Sequence, residues 1–270
     1  MNSFTKYKFD GKKVLKVLKF EMKNVLRSRW IFGYGILGLF ISGGLNYLSN
    51  DPVKTLVSLG LVIPVLVPLV TLVYTTLHWY YNEKFTVLLL TQPLDRNTFV
   101  VSRYIALVVA LAISLIIGMT LPFVVAPAAF GVGMALILAM ISILTMIFVG
   151  LALVLSIFFE DRLQGIGAAL GLWAYFTIVH DGLTLLGLVI WREEPLDIVA
   201  GIIVALNPVS LSRVVPLMYF EQPLLLGHTG ALTREILTSW KGAAVAGGSA
   251  GLWMVLPVIF VLFRFPKKDL

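Results

Sequence analysis

The sequence predicts an all-α membrane protein with six transmembrane helices, an N-terminal amphipathic elbow helix and a small periplasmic helical segment between helices 5 and 6. Three observations predict this class: 59% of the 270 residues are hydrophobic, only 13% are charged, and the mean hydropathy is +0.95. A soluble domain carries about 25% charged residues. An ordinary soluble enzyme, a disordered chain and a free nucleic-acid-binding module are therefore excluded.

Six stretches are long and apolar enough to cross the membrane, since roughly 20 apolar residues span about 30 Å of hydrocarbon. Helix is the expected conformation because unpaired backbone groups cannot face lipid. The sixth stretch, near the C-terminus, forms region 242–270 together with the tail that follows it. The six predicted spans are Trp30–Leu48, Leu56–Tyr80, Tyr104–Phe123, Gly131–Phe159, Gly165–Trp191 and Ala243–Phe265.

Two local features of these spans concern helix shape and packing. Pro64 and Pro68 each remove a backbone donor from the second span and predict a kink there. Glycines four residues apart allow two helices to approach closely. Pairs with this spacing are Gly167 with Gly171 and Gly247 with Gly251.

The distribution of Lys and Arg predicts the orientation. Six spans place both termini on one side of the membrane. Sixteen of the 21 basic residues fall in segments on the side of the termini and five fall on the other side. Basic segments favour the cytoplasm, so we expect a multi-pass membrane protein with both termini cytoplasmic. Topology explains the net charge of +7, and no nucleic-acid partner is expected.

The cytoplasmic region 1–29 contains a predicted basic amphipathic helix over residues 12–29. Such a helix lies in the membrane interface with its lysines toward anionic headgroups, which makes membrane lipid an expected partner. A plain positively charged anchor and an elbow that carries motion into the first span both fit this pattern. Its apolar face carries Val14, Leu15, Leu18, Met22, Val25 and Leu26, and its basic face carries Lys12, Lys16, Lys19, Lys23 and Arg27.

Region 30–191 holds the first five spans and one long cytoplasmic loop, residues 81–103. In this loop a short apolar run lies between charged ends and stops at Pro93. The pattern predicts a short helix on the membrane surface, followed by a turn into the third span. A solvated loop with one apolar edge is the alternative.

Region 192–241 is too polar to span and is expected on the periplasmic side. Asn207 can cap a helix that begins with Pro208, because proline is favourable in the first turn of a helix. A second short helix is predicted over Ala231–Trp240. The segment is large enough to form a small docking platform, which we expect Asn207, Pro208 and Arg213 to shape.

His180 and Asp181 form the most notable polar pair within a span. A charge at membrane depth costs about 2.5–3.5 kcal/mol on insertion scales, so the pair should face protein or water. A helix-to-helix hydrogen bond or a position near the interface, and a role in a translocation path or subunit contact, all remain open. Neighbouring residues on a helix point about 100° apart, which makes a poor two-ligand metal site.

The residues that catalysis or metal binding needs are missing. The chain has no cysteine and no phosphate-binding Gly-x4-Gly-Lys-Ser/Thr loop, and its three histidines lack metal-ligand spacing. We therefore expect no enzymatic activity, no metal and no cofactor in this chain. A membrane-embedded enzyme using His180 and Asp181 would lack a nucleophile. Methionine is a soft copper ligand, but in helices it more often fills the core. The methionines considered are Met119, Met134, Met140, Met146 and Met254.

The loop segment Glu83–Arg96 resembles the first cytoplasmic loop of the ABC-2 type permease family. That loop commonly has a glutamate, then Gly-Thr, a leucine run, a proline and a basic residue. Phe85 stands where the family commonly has glycine. The resemblance implies six spans, an elbow helix and a loop that docks on a separate cytoplasmic ABC ATPase, which would bind the ATP. The expected docking contacts are Glu83, Lys84, Asp95 and Arg96.

Within that family the chain resembles permeases that serve the maturation of nitrous oxide reductase. This resemblance implies a homodimer in the bacterial inner (cytoplasmic) membrane, a periplasmic β-helical accessory protein and a role in assembling a copper-sulfur centre. The cargo stays open between sulfur species, copper and force transmission alone. A general exporter of a lipid, drug or peptide is the alternative. The similar stretches are Asn50–Lys54, Leu88–Leu94, Asp161–Gly167, Asp181–Leu183, Leu206–Pro208 and Gly227–Ala231.

Overall fold

The computed structural model describes residues 11–49, 51–91, 95–124, 131–190, 203, 206–220 and 240–267, and these residues are helical apart from short connections. An N-terminal helix, Gly11–Leu26, precedes the first span. A loop helix, Glu83–Leu90, follows the second span. A platform helix, Pro208–Tyr219, lies between the fifth and sixth spans. We call the end of the bundle that carries the N-terminal helix and the loop helix the base, and the opposite end the top.

Within the described ranges six helices are long and apolar enough to cross a membrane, and the predicted all-α membrane class is confirmed. The third begins at Arg96 rather than at Tyr104, because the charged residues that suggested a loop belong to its first turns. The spans are Arg29–Ser49, Pro52–Tyr81, Arg96–Phe123, Val132–Phe158, Arg162–Gly187 and Ala244–Arg264.

Burial divides the spans into two groups. At least half of the most apolar part of spans 2, 3 and 4 is buried, against less than a quarter for spans 1, 5 and 6. Spans 2, 3 and 4 therefore form the core, and the other three present much of their apolar surface outward. Core side chains with no exposed area include Leu59, Ile63, Phe99, Leu107, Ile141 and Phe148.

The N-terminal helix packs on the protein through one edge of its predicted apolar face and the residues beside that edge. Its fully buried or nearly buried residues are Val17, Glu21 and Val25, spaced four apart. Leu15 and Leu26, predicted on the apolar face, are 68% and 46% exposed. The ion pair of Glu21 described below fixes this rotation, so one edge of the helix contacts the protein and the apolar edge beside it faces outward.

Spans 1 and 3 pack so closely at their crossing that a side-chain atom added to one helix would overlap the backbone of the other. A Cβ atom added at Gly118 would overlap the carbonyl oxygen of Gly35, and one added at Gly38 would lie 2.9 Å from Leu115 Cδ1. Ser114 Oγ also donates to the carbonyl of Ile31 at 2.5 Å. Small residues on both helices therefore permit this contact. The predicted glycine pairs behave differently: a Cβ at Gly167, Gly171, Gly247 or Gly251 would meet nothing within 4 Å.

The platform helix lies against the bundle rather than projecting from it. Its Pro216 is in contact range of Gly60 of span 2, at 3.3 Å from a Cβ added there, and Phe220 closely approaches Gly133 of span 4. Its Val209 and Val214 are buried. The rest of region 192–241, including the helix predicted over Ala231–Trp240, lies outside the described residues apart from 203, 206–220 and the last two positions.

Candidate functional site

A buried arginine organises the base of the bundle. Arg103, in the second turn of span 3, has no exposed area. Its Nε lies 3.3 Å from Glu21 Oε2 and its Nη2 lies 3.2 Å from Oε1, so the guanidinium grips both carboxylate oxygens. Its Nη1 donates to Thr86 Oγ1 at 3.0 Å. One side chain of span 3 therefore holds the N-terminal helix through Glu21 and the loop helix through Thr86.

Aromatic rings cover the remaining surface of this guanidinium. The Arg103 Cζ atom lies 4.4 Å from the ring centroid of Phe99 and 5.4 Å from that of Trp79. Phe265, just after span 6, packs on both rings. A cation held over aromatic faces and away from water gains attraction from the ring quadrupoles. These rings connect the arginine to spans 2 and 6.

The N-terminal helix and the loop helix also contact each other directly. The rings of Phe20 and Phe85 stack with centroids 5.2 Å apart. Asn24 Nδ2 donates to Asn82 Oδ1 at 3.0 Å, immediately before the loop helix. Phe85 therefore has a clear structural role where the resembled family commonly has glycine. We call the set Phe20, Glu21, Phe85, Thr86 and Arg103 the base cluster.

The four predicted docking residues occupy two places at the base. Glu83 and Lys84 are exposed on the first turn of the loop helix. Asp95 and Arg96 are partly buried at the start of span 3, where Arg96 Nη1 donates to the carbonyl of Pro266 at 3.2 Å. The loop helix thus faces inward with Phe85 and Thr86 and outward with Glu83 and Lys84, which leaves one acidic and one basic group free to meet a protein surface.

A second polar cluster lies where span 5 meets the platform helix. Arg213 Nη1 lies 2.5 Å from Asp181 Oδ2. Ser210 Oγ donates to Asp181 Oδ1 at 2.8 Å. The side chains of Arg213 and Asp181 are 19% and 33% exposed. Asp181, predicted as an intramembrane polar residue, is thereby paired with Arg213, which the sequence pattern placed on the platform.

A π-helical turn, Tyr175–Val179, creates the other half of this cluster. Such a turn leaves backbone carbonyls without their usual partners and is frequent at functional sites. Asn207 Nδ2 donates to the carbonyl of Phe176 at 2.7 Å, and Arg213 Nη2 lies 3.5 Å from the carbonyl of Thr177. The platform side chains therefore satisfy carbonyls that the widened turn exposes.

Asn207 caps the platform helix as predicted. Its Oδ1 accepts from the backbone N–H of Val209 at 2.9 Å, and the helix begins with Pro208. Asn207 is fully buried and Pro208 is also buried. Both residues therefore fix the platform helix against span 5 rather than line an exposed face. We call the set Phe176, Asp181, Asn207, Ser210 and Arg213 the platform cluster.

His180 stands at the edge of the platform cluster. Its Nδ1 lies 3.9 Å from Asp181 Oδ1 and makes no hydrogen bond to any described residue. Asp181 has Arg213 and Ser210 as its stronger partners. Of the interpretations left open by the sequence, the described contacts are those of a helix-to-helix hydrogen bond. Within the described ranges no group of three or more His, Cys, Asp or Glu side chains is arranged to hold a metal ion.

Removing the charge of Arg213 should separate the platform helix from span 5. We expect Arg213→Met to lower the free energy of unfolding by about 1–3 kcal/mol, the range for a charge-assisted hydrogen bond, with partial exposure favouring the lower value. Thermal unfolding of the purified protein measures this. Arg162→Met is a matched control, since Arg162 lies at the base, where it donates to the Tyr81 hydroxyl and covers the Tyr81 ring. Equal melting temperatures for the two variants would contradict the assigned pairing.

The sequence reasoning missed Glu21, Thr86 and Arg103. Arg103 was counted as a charge of the cytoplasmic loop, and Glu21 lies among the lysines of an otherwise basic helix. A signal was present: an acidic residue beside the apolar face of the N-terminal helix requires a buried partner. The methionines considered as copper ligands are largely core residues, with Met119 and Met134 almost fully buried.

Comparisons with known proteins identify relatives over most of the chain. No family model matches it. The chain is 28% identical over 230 residues to a probable ABC transporter permease protein NosY of Stutzerimonas stutzeri, which covers 77% of this chain and 82% of the relative. It is 26% identical over 269 residues to the protein of the same name from Pseudomonas aeruginosa, which covers 86% and 95%. The resemblance predicted from the motifs is confirmed: this multi-pass membrane protein is similar to NosY-type permeases of ABC transporters.

Proposed function

We propose that the chain is the permease subunit of an ABC transporter and that a separate cytoplasmic ATPase drives it from the base. The observation that carries this proposal is the base cluster. The loop helix presents Glu83 and Lys84 outward while Thr86 contacts Arg103 of span 3. A force applied to the loop helix reaches the core spans through a buried hydrogen bond and stacked rings.

The proposed motion also reaches the top of the bundle, through the contact between span 5 and the platform helix. Span 5 and the platform helix are joined by Asp181 and Arg213, next to a π-helical turn. A shift of span 5 would therefore move the platform helix with it. We propose that this helix carries the motion toward a periplasmic accessory protein, of the β-helical kind that the family resemblance implies. In this orientation the base faces the cytoplasm of a bacterial inner membrane.

The finer assignment is a role in assembling the copper-sulfur centre of nitrous oxide reductase. Its support is the NosY name of both relatives together with the motif resemblance. A general exporter of a lipid, drug or peptide is the second candidate. Expressing the chain in a denitrifying bacterium that lacks its own permease of this type distinguishes them. Restored copper content of the purified reductase supports the maturation role, and an unchanged copper-free reductase supports the general exporter.

Charge reversal on the loop helix tests the docking assignment. We expect Glu83→Lys combined with Arg96→Glu to lower the amount of cognate ATPase that co-purifies by about tenfold, since like charges opposed across an interface cost energy that attraction previously supplied. Pull-down from membranes that contain both subunits measures this. Lys54→Glu reverses an exposed charge at the top and serves as the control. Unchanged co-purification and unchanged ATPase coupling would count against the assignment.

A further inference from the structure

An apolar groove runs along the outer face of spans 4 and 6. Its volume is about 1010 Å³, and its walls include Leu151 and Val154 of span 4 and residues of span 6 from Val245 to Arg264. Nineteen residues separate Val245 from Arg264, so the groove is about 28 Å long at 1.5 Å per residue. That length matches about 30 Å of hydrocarbon, the thickness of a bilayer core.

Two residues of span 6, a proline and a glycine, shape the groove. Pro257 of span 6 lies against span 4, with its Cβ 3.2 Å from a Cβ added at Gly150. Further toward the top, Gly248 lines the groove and contributes no side chain. The contact at Pro257 and the missing side chain at Gly248 therefore leave room for the groove beside the line along which the two helices meet.

The base end of the groove carries a positive charge. Arg264 lines the groove and is exposed. It makes no ion pair or hydrogen bond to any residue in the described part of the chain. The adjacent residue, Phe265, packs on Trp79 and Phe99, which places Arg264 at the depth of the base cluster. Among the described residues, no acidic side chain lines the groove.

We propose that this groove binds one anionic phospholipid, with its headgroup at Arg264 and its acyl chains along Val245–Phe263. An apolar channel of hydrocarbon length, with a cation at its headgroup end that pairs with no described residue, is complementary to such a molecule in both shape and charge. A second copy of the chain fits less well. Two-fold symmetry would place a concave face against the same concave face and oppose the two Arg264 side chains.

Lipid titration monitored by native mass spectrometry tests the charge requirement. The detergent-purified full chain, with its co-purifying subunits, is delipidated and titrated with palmitoyl-oleoyl phosphatidylglycerol or phosphatidylcholine. The wild type should bind the first anionic lipid about fivefold more tightly than the neutral one, as expected for one basic residue near the surface. Arg264→Gln should abolish this preference. Arg29→Gln, which removes an exposed arginine outside the groove at the base end, should retain it.

A second variant tests the acyl-chain part without affecting the fold. A Cβ at either Gly247 or Gly248 meets nothing within 4 Å, and only Gly248 lines the groove. Gly248→Leu should lower the occupancy of both lipids several-fold, and Gly247→Leu should leave it unchanged. Equal lipid preference in wild type and Arg264→Gln would overturn the proposal. So would a disulfide-linked pair formed in membranes by Leu256→Cys, which would place a second copy in the groove.

Discussion

Replacing Arg103 with methionine should lower the free energy of unfolding by about 3–5 kcal/mol, the cost of leaving one partner of a buried ion pair without the other. Glu21 has no exposed area, and its carboxylate would lose both contacts to the guanidinium. The loss of the Thr86 contact should also weaken the coupling between ATP hydrolysis and the permease. Thermal unfolding measures the first effect, and permease-stimulated ATPase activity measures the second.

A double variant separates charge from volume at this position. Arg103→Met combined with Glu21→Leu removes both charges, and apolar replacements of buried pairs are often neutral or stabilising. We expect it to recover most of the lost stability but not the coupling, because Thr86 still lacks its donor. Arg29→Met, at an exposed arginine of the same end, is the control and should melt like the wild type. If Arg103→Met alone also melts like the wild type, the base cluster does not hold the three elements together.

Introducing leucine at Gly118 should prevent spans 1 and 3 from packing. The first side-chain atom would already overlap the carbonyl oxygen of Gly35, so the helices must separate. Overpacking of this kind costs about 3 kcal/mol or more when backbone rather than a flexible side chain is in the way. We expect Gly118→Leu to lower the melting temperature and the yield of monodisperse protein in size-exclusion chromatography.

Alanine substitutions provide the matched comparison for this crossing. Gly118→Ala introduces only the overlapping Cβ and should also destabilise the protein. Gly44→Ala, in span 1, meets nothing within 4 Å. Because alanine has a higher helix propensity than glycine, Gly44→Ala should be neutral or stabilise by up to about 1 kcal/mol. Equal effects of the two alanine variants would contradict a tight crossing at Gly118.

The spans were predictable because a long apolar run is a one-dimensional signal. Their number and most of their boundaries follow from counting residues against membrane thickness. The start of span 3 did not follow, since Arg96 and Arg103 resemble loop charges until their partners are known. The cap at Asn207 was predictable because it involves only neighbours in sequence.

Contacts between distant segments were less accessible from the sequence. The residues at positions 180 and 181 and those at 207 to 213 were singled out separately, and the fold joins them through the Asp181–Arg213 pair. Close helix packing occurs at Gly35 and Gly118, whereas the spaced pairs such as Gly167 and Gly171 face open space. The spacing of glycines within one helix does not identify the helix that packs against it. Close packing therefore depends on the residues of that second helix.

The π-helical turn at Tyr175–Val179 has a consequence for how the two halves of span 5 are related. A π turn contains one residue more than an α-helical turn, so it acts as a one-residue insertion in the helical repeat. Residues after it, including His180 and Asp181, are rotated by about 100° from the positions that an uninterrupted helical wheel assigns to them. Deleting a single residue from the turn would restore a regular wheel and carry the Asp181 carboxylate away from Arg213. The extra residue therefore determines which face of the upper part of span 5 meets the platform helix.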